Sequence, residues 1–277
     1  MSIVSNPAAP TPRKDDMPAS APNLSEEGDA PASRIVLVTG AGRRVGAAIA
    51  IAFAKPGTKV VLHHHSATSG VEEVAKEIVR RGGEAVPMRA DLTDSASCRA
   101  LIQRVVEALG GIDVLVSSAA NFERIPFDAL DESAMERALT LNVRASFSLA
   151  HEAATTLRER QGNIVLITCT SATLPYANFL PYVVSKGAAK QLMRALAIEL
   201  APQVRVNAVA PGTVLPPEEM SVEQREKLAH KTLLRRVGSA EDVAEAVVYL
   251  ANARFVTGQE ILVDGGVVLA GRDSGEG

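Results

Sequence analysis

Only two cysteines occur in the 277 residues, Cys98 and Cys169, far apart and without a CxxC spacing. That argues against a disulfide framework and against a structural zinc site, and it leaves a reducing cytoplasm as the expected compartment. No apolar run approaches the roughly 18 residues that a membrane helix needs. There is no excess of basic charge either. The net charge is −3, which argues against a nucleic-acid partner held through phosphate contacts. No internal repeat is visible. What remains is ordinary globular composition, 47% hydrophobic with a mean hydropathy of +0.10.

The segment 1–33 is rich in Pro, Ala, Ser, Asp and Glu and has no hydrophobic periodicity, which predicts a disordered tail. It has no apolar core for a secretory signal, and its acidic residues argue against a transit peptide. Residues 272–277 read as a frayed end. Between them, 34–271 alternates short β-branched runs with helical periods. Strands are expected at Ile35–Val38, Val60–Leu62, Ala85–Met88, Val114–Val116, Ile164–Thr168, Val204–Val209 and Glu260–Val263. Helices are expected from Val45 through Phe53, then over Val71–Arg81, Ser95–Leu109, Glu132–Arg160, Tyr182–Leu200 and Ala240–Ala251. This order predicts one α/β domain, a doubly wound (Rossmann-type) parallel sheet flanked by helices. Its ligand crevice is expected at the carboxyl ends of the strands. The stretch 211–234 breaks the rhythm with Pro216-Pro217 and a charged helical pattern over Glu223–His230. It reads either as a lid beside the crevice or as a plain surface loop.

Thr39-Gly40-Ala41-Gly42-Arg43-Arg44-Val45-Gly46 lies between the first strand and the first helix, where a dinucleotide pyrophosphate docks on a helix N-terminus. Gly40 permits a tight turn and Gly46 close packing of helix on strand. The second strand ends in His63-His64-His65-Ser66 and carries no acidic residue. A carboxylate there would hold the ribose hydroxyls and repel a 2′-phosphate. Its absence, with Arg43 and Arg44 close by, favours NADP(H), because a guanidinium fork suits a phosphate; the alternative for the arginines is a solvated loop. Consecutive strand positions face opposite ways, so the three histidines do not converge on a metal. Asp91-Leu92, after the third strand, fits either an adenine contact or a helix-capping loop. The fourth strand ends in Ser117-Ser118-Ala119-Ala120, small enough for the backbone to approach a cofactor.

Tyr182 and Lys186 stand at i and i+4 on one helical face. A neighbouring ammonium lowers a phenol's pKa, which makes the phenol usable for proton transfer near neutral pH.

Taken together, the glycine turn, Asp91-Leu92, Leu141-Asn142-Val143, Tyr182 with Lys186, Val206–Gly212 and Thr257-Gly258-Gln259 with Val263–Gly266 closely resemble the short-chain dehydrogenase/reductase family over 34–269. The resemblance implies that Tyr182 gives or takes the proton at the substrate and that Lys186 binds the nicotinamide ribose. It implies that Asn142 holds a water in a proton relay and that Pro211, Gly212, Thr213 and Val214 fix the carboxamide. It also implies a homotetramer built on the helices around Met135–Arg158 and Gly187–Leu200. Two positions depart from the family pattern. Ser117 stands where the family has a bracing Asn. Cys169 stands thirteen residues before Tyr182, in the place of the catalytic Ser. It is expected to line the site but to donate hydrogen bonds poorly, and the register does not favour Thr168, Thr170 or Ser171 as a substitute.

Arg44 in place of a glycine, the Leu62-His63-His64 strand end, Ala120-Asn121-Phe122, Leu180-Pro181-Tyr182 and Pro211–Glu218 resemble the pteridine reductase branch of the family. Phe122 is placed either to stack on a substrate ring or as a loop aromatic. Three readings follow. The chain is an NADPH-dependent reductase of a C=O or C=N on a small substrate, or a 3-oxoacyl-thioester or secondary-alcohol ketoreductase, or an NADP-binding protein whose catalysis is impaired by Cys169.

Overall fold

All strand pairs in the described residues are parallel, and their order is β3-β2-β1-β4-β5-β6-β7. The computed structural model describes residues 33–66, 69–216 and 220–270. The expected tail (apart from Ser33) and the expected frayed end lie outside them. The strands are β1 (Arg34–Val38), β2 (Thr58–His64), β3 (Glu84–Arg89), β4 (Val114–Ser117), β5 (Asn163–Ile167), β6 (Arg205–Pro211) and β7 (Glu260–Val263). The helices are α1 (Arg44–Ala52), α2 (Ser69–Arg80), α3 (Ser95–Leu109), α4 (Glu132–Leu139), α5 (Ala145–Glu159), α6 (Leu180–Glu199), α7 (Val222–His230), α8 (Ala240–Asn252) and the single-turn α9 (Val267–Ala270).

Alternation along β1 divides the core. Ile35 and Leu37 pack under α3, α5 and α6 with Leu101, Leu149 and Met193. Val36 and Val38 pack under α1, α2 and α8 with Ile49, Val74 and Val247. The chain winds outward from β1 to β3 and then returns to β4 on the other side of β1. The crevice of a doubly wound sheet opens at that reversal.

Salt bridges and capped carbonyls close the opposite, amino end of the sheet. Arg160 forks onto Asp113 at 2.9 and 3.0 Å, and Asp113 accepts from the Ile35 N–H at 2.6 Å. Arg205 and Arg34 donate to the free carbonyls at the α8 C-terminus.

The periodicity over Glu132–Arg160 predicts one helix. The structure breaks it with a π-helical turn at Thr140–Arg144. The wider turn sets Asn142 into the interior, where it is 3% exposed, a use typical of π turns at functional sites. The helix that carries Tyr182 begins at Leu180, with Pro181 in its first turn, where a missing N–H costs nothing.

His63 shows how the strand end supports the first turn. It is 2% exposed, Gly40 N–H donates to its Nδ1 at 3.2 Å, and its Nε2 donates to the Ala90 carbonyl at 3.2 Å. The imidazole thus lies behind the glycine turn and positions it; the sequence-based placement of His63 against the cofactor is corrected, because Gly40 and Ala90 use both ring nitrogens. Burial keeps it neutral and pushes its pKa from 6.5 down to about 4. The unfolded chain takes up this proton first, so the stabilisation is complete above pH 6.5 and is lost as pH falls towards 4. At ~1.4 kcal/mol per unit the loss is about 3 kcal/mol. Urea unfolding at pH 7 and pH 4.5 should show a steeper loss in the native chain than in His63→Gln; parallel losses would refute this role for His63.

Candidate active site

The glycine turn is held by backbone contacts too close for side chains. Thr39 Oγ1 accepts from the Ser118 and Ala119 N–H groups at 2.9 and 3.0 Å, which ties the turn to the end of β4. This takes over the bracing that Ser117 was expected to do weakly, and Ser117 Oγ instead meets Ser146 Oγ at 2.8 Å. Gly40 has φ +67°, and a Cβ on Gly46 would lie 2.2 Å from the Gly40 carbonyl. No side chain caps the N-terminus of α1, and no acidic residue stands in its first turn. A helix start with open N–H groups, reached through a turn without side chains, fits a dinucleotide pyrophosphate.

Around it, Val45 is half-buried against the core and Leu92 is buried, so Leu92 offers a ligand only its backbone. Ser118, Ala119 and Ala120 line the β4 end of the crevice. Asp91 is exposed. Its Oδ1 accepts from Thr93 N–H and Oγ1, which makes it a turn-former whose other oxygen lies 4.0 Å from His65 Nε2. His64 is half-buried, while His65 and Ser66 are exposed. Arg89 Nε donates to the His65 carbonyl at 2.9 Å and adds positive charge at this strand end. It is a residue the sequence pattern gave no reason to single out.

The two arginines of the turn part company. Arg43 is exposed and follows Gly42, whose carbonyl is pressed against Gly70 at the start of α2. Arg44 crosses to the other side and donates to the Leu215 carbonyl at 2.7 Å. Both residues of that bond have left-handed backbones, φ +52° and +48°. Leu215 lies just beyond Pro211, Gly212, Thr213 and Val214 at the end of β6. A cavity of about 420 Å³ opens between Thr213, Val214, Leu233, Leu234 and the end of β7. α7 buries none of its residues, which fits a lid and a plain surface loop alike; Pro217 and Glu218 lie outside the described residues.

Tyr182, Lys186, Asn142 and Cys169 are brought together. Lys186 is buried, donates to the Ile167 carbonyl at 2.7 Å and sits 5.5 Å from the Tyr182 ring centre. Asn142 Nδ2 donates to Ser185 Oγ at 2.9 Å, and its Oδ1 accepts from Asn121 N–H at 3.0 Å. The Tyr182 phenol lies beside the Cys169 thiol. One expectation is corrected here. Burial, followed by the Cys169 sulfur, raises the Tyr182 pKa, while the Lys186 ammonium donates to the Ile167 carbonyl and faces the ring. Burial also pushes Lys186 down to about 8. The phenol is therefore held protonated, the form that gives a proton away.

Phe122 is 59% exposed, stacks on Phe179 with ring centres 4.5 Å apart and meets Tyr182 edge-on at 4.7 Å. Tyr176 meets Phe179 edge-on at 5.3 Å. Nine aromatic residues exist in the whole chain, and four of them stand in this one cluster. The Ile125 N–H donates to the Asn178 carbonyl at 2.7 Å and so holds the two aromatic loops together. Tyr176 and Phe179 were not singled out from sequence; their three-residue spacing just before Tyr182 was the available signal.

The chain matches a family model described as enoyl-(acyl carrier protein) reductase over residues 40–268. It is 35% identical to a protein named for a ketoacyl reductase of the granaticin polyketide synthase of Streptomyces violaceoruber, covering 87% of this chain and 98% of the relative. It is 35% identical to 7α-hydroxysteroid dehydrogenase of Escherichia coli strain K12, over 85% of this chain and 94% of that protein. A solved 7α-hydroxysteroid dehydrogenase, complexed with NADH and 7-oxo glycochenodeoxycholic acid, superposes with a TM-score of 0.79 at 34% identity, covering 84% of this chain and 93% of that one. A Serratia marcescens short-chain dehydrogenase/reductase does so at 0.79 and 29% identity, with 85% and 98% covered.

Proposed function

The chain belongs to the short-chain dehydrogenase/reductase family, and we propose that it uses NADPH to reduce a C=O or C=N group on a small, flat substrate, in the manner of a pteridine reductase. The observation that carries this reading is the aromatic cluster around Tyr182. Phe122 and Phe179 form a wall suited to a planar ring, and Tyr182 stands at its edge as proton donor. The bound nicotinamide cofactor supplies the hydride. Open N–H groups at the α1 start would hold its pyrophosphate, and Lys186 would hold its ribose. The lack of an acidic residue at the end of β2 and the positive charge of Arg43 and Arg89 favour a 2′-phosphate. A cytoplasmic homotetramer that pairs the outer faces of α5 and α6 completes the proposal. Phe147 and Ile198, exposed on those faces, support it, and a monomer in sedimentation equilibrium would refute it.

A second reading, ketoreduction of a 3-oxoacyl thioester or secondary alcohol, draws on the likeness to the ketoacyl reductase. The weak thiol donor at Cys169 favours a third, a cofactor-binding protein with impaired catalysis. Turnover of dihydrobiopterin, dihydrofolate and an acetoacetyl thioester with NADPH separates them. Reduction of the pterins carries the first reading and reduction of the thioester the second, while NADPH binding without any turnover carries the third. Under both enzyme readings Tyr182→Phe should lower kcat at least about 100-fold.

The two arginines separate cofactor choice from the anchoring of Leu215. Arg43→Ala should weaken NADPH binding about tenfold or more and NADH binding less than about twofold, the loss of one charge-assisted contact. Arg44→Ala should weaken both cofactors alike, because it frees Leu215. If Arg43→Ala weakens both equally, the 2′-phosphate assignment fails.

A further inference from the structure

Cys169 stands beside Tyr182 but offers only a weak thiol donor, and Tyr182 itself has to move the proton. A third group reaches the same point. Tyr176 and Tyr182 both lie beside Cys169. The Tyr176 ring is fixed edge-on against Phe179. The Ser171 hydroxyl, 1% exposed and without a hydrogen-bond partner, lies near Tyr176. Ser171 N–H donates to Cys169 Sγ at 3.4 Å, which locks the short turn over Thr170–Ala172. Thr168 and Thr170 are turned away, the first onto Glu260 and the Val209 carbonyl, the second onto the Pro211 carbonyl.

We propose that the Tyr176 hydroxyl is the hydrogen-bond donor that grips the substrate's oxygen or nitrogen beside Tyr182, doing from the loop what a hydroxyl at position 169 would do from the end of β5. The assignment rests on the reductase reading and deepens it. Two phenols then divide the work. Tyr182 transfers the proton, and Tyr176 holds the acceptor atom while keeping its own proton. Burial supports this division by holding the Tyr176 pKa above its usual value. The substrate class that follows is one whose reacting oxygen or nitrogen lies at the edge of a ring, because the same loop supplies both the grip and, through Phe179, the aromatic wall.

Two measurements on the NADP⁺-loaded full chain test the assignment. The first is binding of 2-naphthol, an aromatic hydroxyl compound that cannot be oxidised to a ketone, against naphthalene, each followed by its own fluorescence. Tyr176→Phe keeps the ring and removes only the hydroxyl, so it should weaken 2-naphthol about tenfold, the scale of one hydrogen bond, and naphthalene less than about twofold. Equal losses for the two probes, or none, overturn the assignment. The second is turnover of whichever panel substrate is reduced. Tyr176→Phe should lower kcat about tenfold in the native background and by less than about twofold in Cys169→Ser, where the hydroxyl at 169 takes over. An equal fall in both backgrounds also overturns it. If no panel substrate turns over, the reductase reading fails, while naphthol binding still decides the role of Tyr176.

Discussion

One buried amide holds the catalytic end of the sheet together. Asn142 donates to Ser185 on α6 and accepts from the Asn121 backbone in the loop after β4. Ser185 in turn donates to the Tyr182 carbonyl at 2.7 Å. Three segments remote in sequence meet at this side chain: the π turn, the loop that presents Phe122 and the helix that presents Tyr182 and Lys186. An unmatched amide at this depth would cost several times what each bond contributes, so the three segments keep one mutual arrangement. A regular α-helix through Thr140–Arg144 would turn the side chain elsewhere, which is why the break in the helix belongs to the site.

The same economy governs the cofactor side. Thr39 and His63 fix the first turn from behind, one through Ser118 and Ala119, the other through Gly40 and Ala90. Both are buried and both satisfy backbone groups. The front of the turn is thereby left bare, with open N–H groups at the α1 start and no side chain in the way. A pre-formed surface of this kind binds an anion without reorganising. The amino ends of the strands, sealed by Arg160, Arg205 and Arg34, supply the rigidity against which such a surface is defined.

Much of this was legible in the residues. The strands announced themselves because their inward positions are β-branched and continuous, as buried parallel strands must be. Tyr182 and Lys186 could be paired because helical spacing is a local property. What could not be read was whatever depends on which neighbour arrives first. Strand alternation gives His63 a face but does not say that Gly40 and Ala90 cover it. The apolar period across Leu139–Ala145 runs on without a visible fault, so the π turn is silent in sequence. Arg43 and Arg44 look equivalent as neighbours, yet Arg44's left-handed backbone turns it away to Leu215. The Tyr182 pKa was expected to fall because a lysine stands one turn away; depth in the protein, which no spacing reveals, outweighs it. Tyr176 and Phe179 lie in an irregular loop, where neither period applies.

The scarcity of aromatic residues has an optical consequence. With no tryptophan, the intrinsic ultraviolet emission of the chain comes from three tyrosines, and two of them, Tyr176 and Tyr182, stand beside the Cys169 thiol. Two of the six phenylalanines stand beside them. Near-ultraviolet dichroism and tyrosine emission, which in most proteins average over the whole molecule, are in this chain weighted towards a single pocket. The protein carries an unlabelled reporter of its own binding site.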